Sequence, residues 1–204
     1  MVNRRERDKQ QARKTSARDW AKQQDRGFEP SAVKLPEGVE FYKLEIGTRV
    51  LDFMPYLVGK GNRRADPGFQ HFEREYVAHR VPTADGVRLY CCNWECFHKK
   101  CAICDWIVNK GNSADQQLVK QLRKTLRHLW VVNDKPADPK NPLKVLDSNH
   151  YNRGMGFGEL IVDAINSVDK YADFWELDIG LKLQLTVKEQ TFPGGKYNAV
   201  TRID

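Results

Sequence analysis

The chain has 204 residues, 40% of them hydrophobic and 10% aromatic, enough for one sizeable domain with arms or two small domains, and too apolar for global disorder. Thirty-four Lys and Arg against 27 Asp and Glu leave a formal charge of +7 and a pI near 9.1; such a surplus favours a polyanionic partner, because each cation set against a phosphate releases a counterion. No run approaches the roughly 18 apolar residues of a membrane span, and the charged N-terminus is unlike a secretory signal, so an intracellular protein with no membrane partner is expected.

Residues 1–38 stand apart. The first 22 carry eight Lys and Arg against three Asp and Glu, with almost no aliphatic residues, which suits a polar helix or a disordered basic arm. Gly27, Pro30, Pro36 and Gly38 punctuate a linker, and residues 39–204 are expected to form the folded core. Strand character begins at "VEFYKLEIGTRVLDFMPYLV" and breaks at "GKGNRRADPG", a Gly/Pro loop bearing Lys60, Arg63 and Arg64. "FEREYVAHRV" and "GVRLYCC" predict two strands joined by the turn "PTADG". In "SADQQLVKQLRKTLRHL", Leu118, Leu122, Leu126 and Leu129 fall at helical spacing behind a cap at Ser113 or Asp115, predicting a helix with a core-facing stripe. "LWVVND" and "LKVLDS" predict strands and "FGELIVDAINSV" a helix. The last segment, "LDIGLKLQLTVKEQTFPGGKYNAVTRI", predicts two strands around a Pro-Gly-Gly turn. Short strands with two or more helices imply an α+β, mainly β fold, a partly open barrel with insertions.

All five cysteines lie within residues 91–104, "CCNWECFHKKCAIC". An intracellular chain keeps its thiols reduced, and an odd number cannot be exhausted by internal disulfides. Nucleophilic catalysis needs one cysteine and an oriented base, so this crowding exceeds what an enzyme requires. The Cys101-x-x-Cys104 pair is the strong signal: two thiolates from one knuckle suit tetrahedral zinc, which needs two further ligands. Cys92 and His79 would complete a closed, structural set, with twelve, eight and two residues between successive ligands. The gap from His79 to Cys92 spans a predicted hairpin whose ends can meet at one metal. Cys91, Cys96 and His98 compete for the same roles, although Cys91 and Cys92 must face opposite sides of a strand. The zinc-bearing part is expected over about residues 72–110.

Met54-Pro55-Tyr56, the stretch from Tyr76 to His79-Arg80, Tyr90-Cys91-Cys92 and Cys101-Ala102-Ile103-Cys104 together resemble the single-stranded DNA-binding (helix-destabilising) proteins of T-even-type bacteriophages and their relatives. The resemblance spans roughly residues 40–204. It implies an OB-fold-like barrel with an inserted zinc subdomain, one structural zinc on His79, Cys92, Cys101 and Cys104, no enzymatic activity, and work on phage DNA in the host cytoplasm during replication, recombination and repair. The family usually has proline where Ala102 stands and a Gly-Lys-Pro type turn where His98-Lys99-Lys100 stand; the second ligand gap is one residue short; and the acidic tail that docks replication proteins is expected to be missing or removed after Asp204. The family's basic arm, which mediates cooperative contact between neighbouring copies on DNA, corresponds to Arg13, Lys14, Thr15 and Ser16.

A sequence-tolerant binder of single strands needs cations to follow phosphates and rings for bases to stack on. Tyr76, Trp94 and Phe97, interleaved with Arg74, Arg80, Arg88, Lys99 and Lys100, offer both, and Lys60, Arg63 and Arg64 would form an opposite wall. Tyr90 and Trp106 are expected in the core. The alternative is a zinc-stabilised protein–protein interaction module of a phage replication or transcription complex.

Overall fold

In a computed structural model, residues 32–60, 62, 65–84, 86–110, 116–134, 138–149, 156–168, 171–178, 180–192 and 195–204 are described. Along them run β1 (Glu40–Phe41), β2 (Gly47–Met54), β3 (Tyr56–Leu57), β4 (Gln70–His71), β5 (Glu73–Thr83) and β6 (Gly86–Cys91). Then come helices α1 (Asn93–Phe97), α2 (Ala102–Lys110) and α3 (Gln116–Gln121), strands β7 (Lys124–Asn133) and β8 (Leu143–Asn149), helix α4 (Phe157–Ser167), and strands β9 (Leu183–Phe192) and β10 (Gly195–Ile203). The protein is α+β and mainly β, and its principal sheet curls into a half-barrel. The basic stretch Arg13–Ser16, and Arg63 and Arg64, lie outside the described residues. No helix among the described residues is long and apolar enough to cross a membrane.

Eight strands form the principal sheet, in the order β1-β8-β7-β2-β9-β10, with β5 on β7 and β6 on β5. Its curl comes from strands that change partners partway. β2 gives Gly47–Leu51 to β9 and Asp52–Met54 to β7. β7 gives residues 124–130 to β5 and 131–133 to β2, while its other edge carries β8. Alternation explains the elements: in β9, Leu183, Leu185 and Val187 are buried while Gln184 and Lys188 face out. Leu51 and Phe53 do the same in β2, and Trp130 and Val132 in β7.

The half-barrel closes over an aromatic core. Phe53 meets Trp130 edge-on at 5.8 Å and Phe174 at 5.5 Å, and stacks on Phe157 at 5.9 Å. Phe72 lies between Trp130 and Trp175, at 5.9 and 5.5 Å. Such pairs each add about 0.5–1.5 kcal/mol beyond their burial. α4 lids this core with Phe157 and Ile161, and its first turn is closed by the Gly156 N–H donating to Glu159 Oε2 at 2.8 Å.

One predicted element is corrected. The leucine stripe from Leu118 to Leu129 does not lie on one helix: α3 ends at Gln121, and Lys124 begins the ten-residue strand β7. Both faces of β7 carry buried residues, and the polar ones among them are partnered. Arg127 Nε reaches Asp147 Oδ1 at 2.9 Å and the Tyr76 hydroxyl at 3.0 Å, and Arg127 Nη1 reaches Asn149 Oδ1 at 2.6 Å. The His128 imidazole pairs with Glu73. Buried Arg and His between leucines erase the period-2 signal, so helical spacing was the pattern left in view.

Candidate metal centre

β5 is where the sheet meets the cysteines. Its residues 78 and 79 are paired on both sides, with β6 and with β7; His79 sits between Tyr90 and Lys124 and is fully buried. Its Nδ1 lies 2.7 Å from the Leu122 carbonyl oxygen. A carbonyl can only accept, so Nδ1 carries the proton and the Nε2 lone pair is left facing the cysteines. That Nε2 is 3.3 Å from Cys104 Sγ and 3.6 Å from Cys101 Sγ. Cys92 Sγ is 3.5 Å from Cys104 Sγ. His79, Cys92, Cys101 and Cys104 thus bring four ligand atoms within 4.8 Å of one another, a set that could hold a metal ion.

The local chain explains the convergence. β6 ends at Cys91, and Cys92, still extended, starts α1; its N–H is held by the Val77 carbonyl at 2.8 Å. Alternation turns Cys92 toward Val77 and Cys101, and Cys91 toward Tyr76, Ala78 and Leu89 on the other face. α1 stops at His98, whose left-handed backbone (φ 52°) lets its N–H and that of Lys99 bond back to Trp94 and Asn93, each at 3.1 Å. Cys101 then opens α2, its carbonyl accepting from Asp105 N–H at 3.0 Å, and Cys104 stands in the first turn. Lys124 Nζ reaches Glu95 Oε1 at 2.6 Å, tying α1 to the start of β7. Of the three competing ligands, His98 is exposed at a helix end, Cys91 donates to the Ala32 carbonyl and Cys96 to that of Val77; none joins the quartet.

Three thiols and an imidazole in so small a volume cannot all take charge on their own. Burial pushes the Cys101 thiol up, but hydrogen bonds from Cys104 and from the backbone of Asn93 outweigh it and bring it down to about 6. Burial, then hydrogen bonds with Cys92 and Cys101, push Cys104 up to about 12. A thiolate at Cys101 therefore keeps its neighbour protonated, and a cation at the centre would relieve that competition.

The residues expected to meet DNA divide between two faces. Register places Arg88 and Tyr90 opposite Val81 and His79, on the quartet's face of the hairpin. Arg74, Tyr76 and Arg80 lie on the other. Tyr76 is corrected as a stacking residue: it is 7% exposed and its hydroxyl donates to Asp147 Oδ2 at 2.7 Å. Trp94 and Phe97 are 58% and 57% exposed on the short helix α1, with Lys99 and Lys100 exposed just beyond. Tyr90 and Trp106, expected in the core, are 45% and 36% exposed. Lys60 is exposed in the loop between β3 and β4. Tyr90 was legible after all, since alternation from buried Leu89 turns it outward. No protein-family model matches the chain, and neither does any curated protein.

Proposed function

We propose that the protein binds single-stranded DNA without strong sequence preference and that one structural zinc ion, held by His79, Cys92, Cys101 and Cys104, shapes its DNA-facing segment. The donor set and its spacing support zinc. Tetrahedral zinc at about 2.3 Å from sulfur and about 2.0 Å from nitrogen sets sulfurs roughly 3.8 Å apart and sulfur–nitrogen edges roughly 3.5 Å; three of the six spacings in the chain are 3.5, 3.6 and 3.3 Å, and all lie within 4.8 Å. When bound, zinc neutralises the thiolates and cross-links the hairpin to the start of α2. Three Cys and one His leave no open position for water, so the metal's role in this reading is structural, without enzymatic chemistry at the site.

One observation carries the DNA reading. Between ligands Cys92 and Cys101 the chain displays two half-open rings, Trp94 and Phe97, and two exposed cations, Lys99 and Lys100. Rings and cations in one stretch are the two components a single-strand binder needs, and exposed Arg88 and Tyr90 on β6 come just before it in the chain. The half-barrel, taken as an OB-fold-like partly open barrel, would supply the groove floor, with Lys60 beside it. The same reading places the protein on phage DNA in the host cytoplasm during replication and recombination. The basic arm at Arg13–Ser16 would contact neighbouring copies, and phage replication proteins would be further partners.

The test is titration of metal-loaded protein with single-stranded and duplex oligonucleotides at two salt concentrations, with and without prior chelation. The reading requires preference for the single strand, weakening with salt, and loss of affinity on chelation; salt-independent or absent binding would sink it. A protein–protein module is the second reading, favoured by Leu57 and Phe69, 71% and 65% exposed beside the small β3–β4 sheet. It predicts no DNA affinity.

A further inference from the structure

Two of the five cysteines stand outside the quartet, and they stand together. Cys91 ends β6 opposite Ala78; Cys96 lies one helical turn beyond Cys92, its N–H on the Cys92 carbonyl at 2.9 Å. Both pack against the cluster of Tyr76, Ala78 and Leu89, and both are only half-buried. Their sulfurs lie within hydrogen-bonding reach of each other, a contact that together with burial holds the Cys91 thiol above its usual range. Ala32 and Val33 pack on the same cluster, and Cys91 Sγ donates to the Ala32 carbonyl at 3.6 Å. The segment that leads back to the basic arm is therefore seated on this pair of thiols.

We propose that Cys91 and Cys96 are a dithiol modification site, closed to a disulfide by hydrogen peroxide, and that closure loosens the seat of residues 32–33. One sulfur, as thiolate, attacks a peroxide oxygen; the O–O bond breaks, water leaves after protonation, and a sulfenic acid remains. The second sulfur attacks the sulfenic sulfur, the S–O bond breaks, a second water leaves and the S–S bond forms. Two electrons pass from the sulfurs to the peroxide, and the two thiol protons end in the two waters. The product has no S–H to give Ala32. Val77 loses the Cys96 thiol but keeps the Cys92 N–H. The quartet shares neither sulfur, so a bound metal is retained while residues 32 and 33 are released.

The experiment treats full-length, metal-loaded protein with hydrogen peroxide, caps remaining thiols with N-ethylmaleimide under denaturing conditions, and maps peptides without reduction. Cleavage after Arg88, Glu95 and Lys99 separates Cys96 from Cys91 and Cys92. Expected is a joined pair, residues 89–95 with 96–99, as the main oxidised species, absent from Cys91→Ser and from Cys96→Ser. Should Cys91→Ser fail to fold, the fragmentation spectrum of the wild-type pair identifies the linked sulfur as Cys91 or Cys92. Persistence of the joined pair in Cys91→Ser, oxidation confined to Cys92, Cys101 and Cys104, or full capping of all five thiols would overturn the proposal. Metal content on the same samples keeps the two ideas apart: a joined pair in metal-free protein still supports the dithiol site and counts only against zinc.

Discussion

Replacing Trp94 by alanine separates a DNA-facing ring from a structural one. The ring is 58% exposed and α1 contains no buried residue, so its removal should change folding stability by no more than about 0.5 kcal/mol. If a base stacks on it, the loss is about 1–3 kcal/mol of binding, a drop of about 5- to 140-fold in affinity. Trp94→Phe keeps a π face and should recover much of that loss. The assay is fluorescence anisotropy with a labelled oligo-dT at fixed low salt, beside thermal melting and metal analysis of each variant. A loss under about twofold in a variant with intact metal and melting temperature would refute the assignment of Trp94 to DNA. A large fall in melting temperature would refute it at an earlier step, by showing that the ring is structural despite its exposure.

Asp147→Ala should cost about 3–5 kcal/mol in urea unfolding, because the Arg127 side chain, 7% exposed, would keep its charge without its carboxylate partner. Cys101→Ser should lower the bound zinc measured by elemental analysis from one per chain to near none, with a melting temperature close to that of chelated wild type. Metal affinity should fall as pH falls, by up to about tenfold per pH unit for each proton released, since Cys104, held up at about 12 by burial and its neighbours, must give up its proton to bind; competition with a chromophoric chelator across a pH series reads this directly. Changing Lys99 and Lys100 together to alanine should reduce the slope of log affinity against log salt by about 1.4, about 0.7 for each phosphate no longer neutralised, with no change in metal content.

The quartet was legible because its logic is local. A Cys-x-x-Cys knuckle fixes two ligands by spacing, a turn between two alternating strands brings His79 back beside Cys92, and strand alternation allows only one of Cys91 and Cys92 to face the site. The Leu122 carbonyl that orients His79 has no signature, since any residue offers one. β7 was illegible for a different reason. Its buried positions include Arg127 and His128, made tolerable by Asp147, Asn149 and Glu73, which come from other strands. Partners that far off in sequence leave no local trace, so burial of a charge cannot be foreseen from its neighbours. Tyr76 was misjudged on the same ground, since its hydroxyl answers to Asp147, 71 residues away.

The pairing of β2 with β9 has a consequence in time. Gly47–Leu51 finds its partner in Leu183–Val187, more than 130 residues later, and a ribosome adding about 5–20 residues per second needs roughly 7 to 26 seconds to make the stretch between. Through that interval one edge of β2 is bare, with Leu51 and Phe53 lacking part of the core that will cover them. The hairpin, the four metal ligands and β7 are all complete about 50 residues before β9 emerges. A nascent chain that captures its ion early would therefore hold β5, β6 and the start of α2 together during the delay. The metal's largest contribution would then fall during synthesis, in lowering the yield of aggregated chains, and pulse-labelled expression under zinc starvation would reveal it.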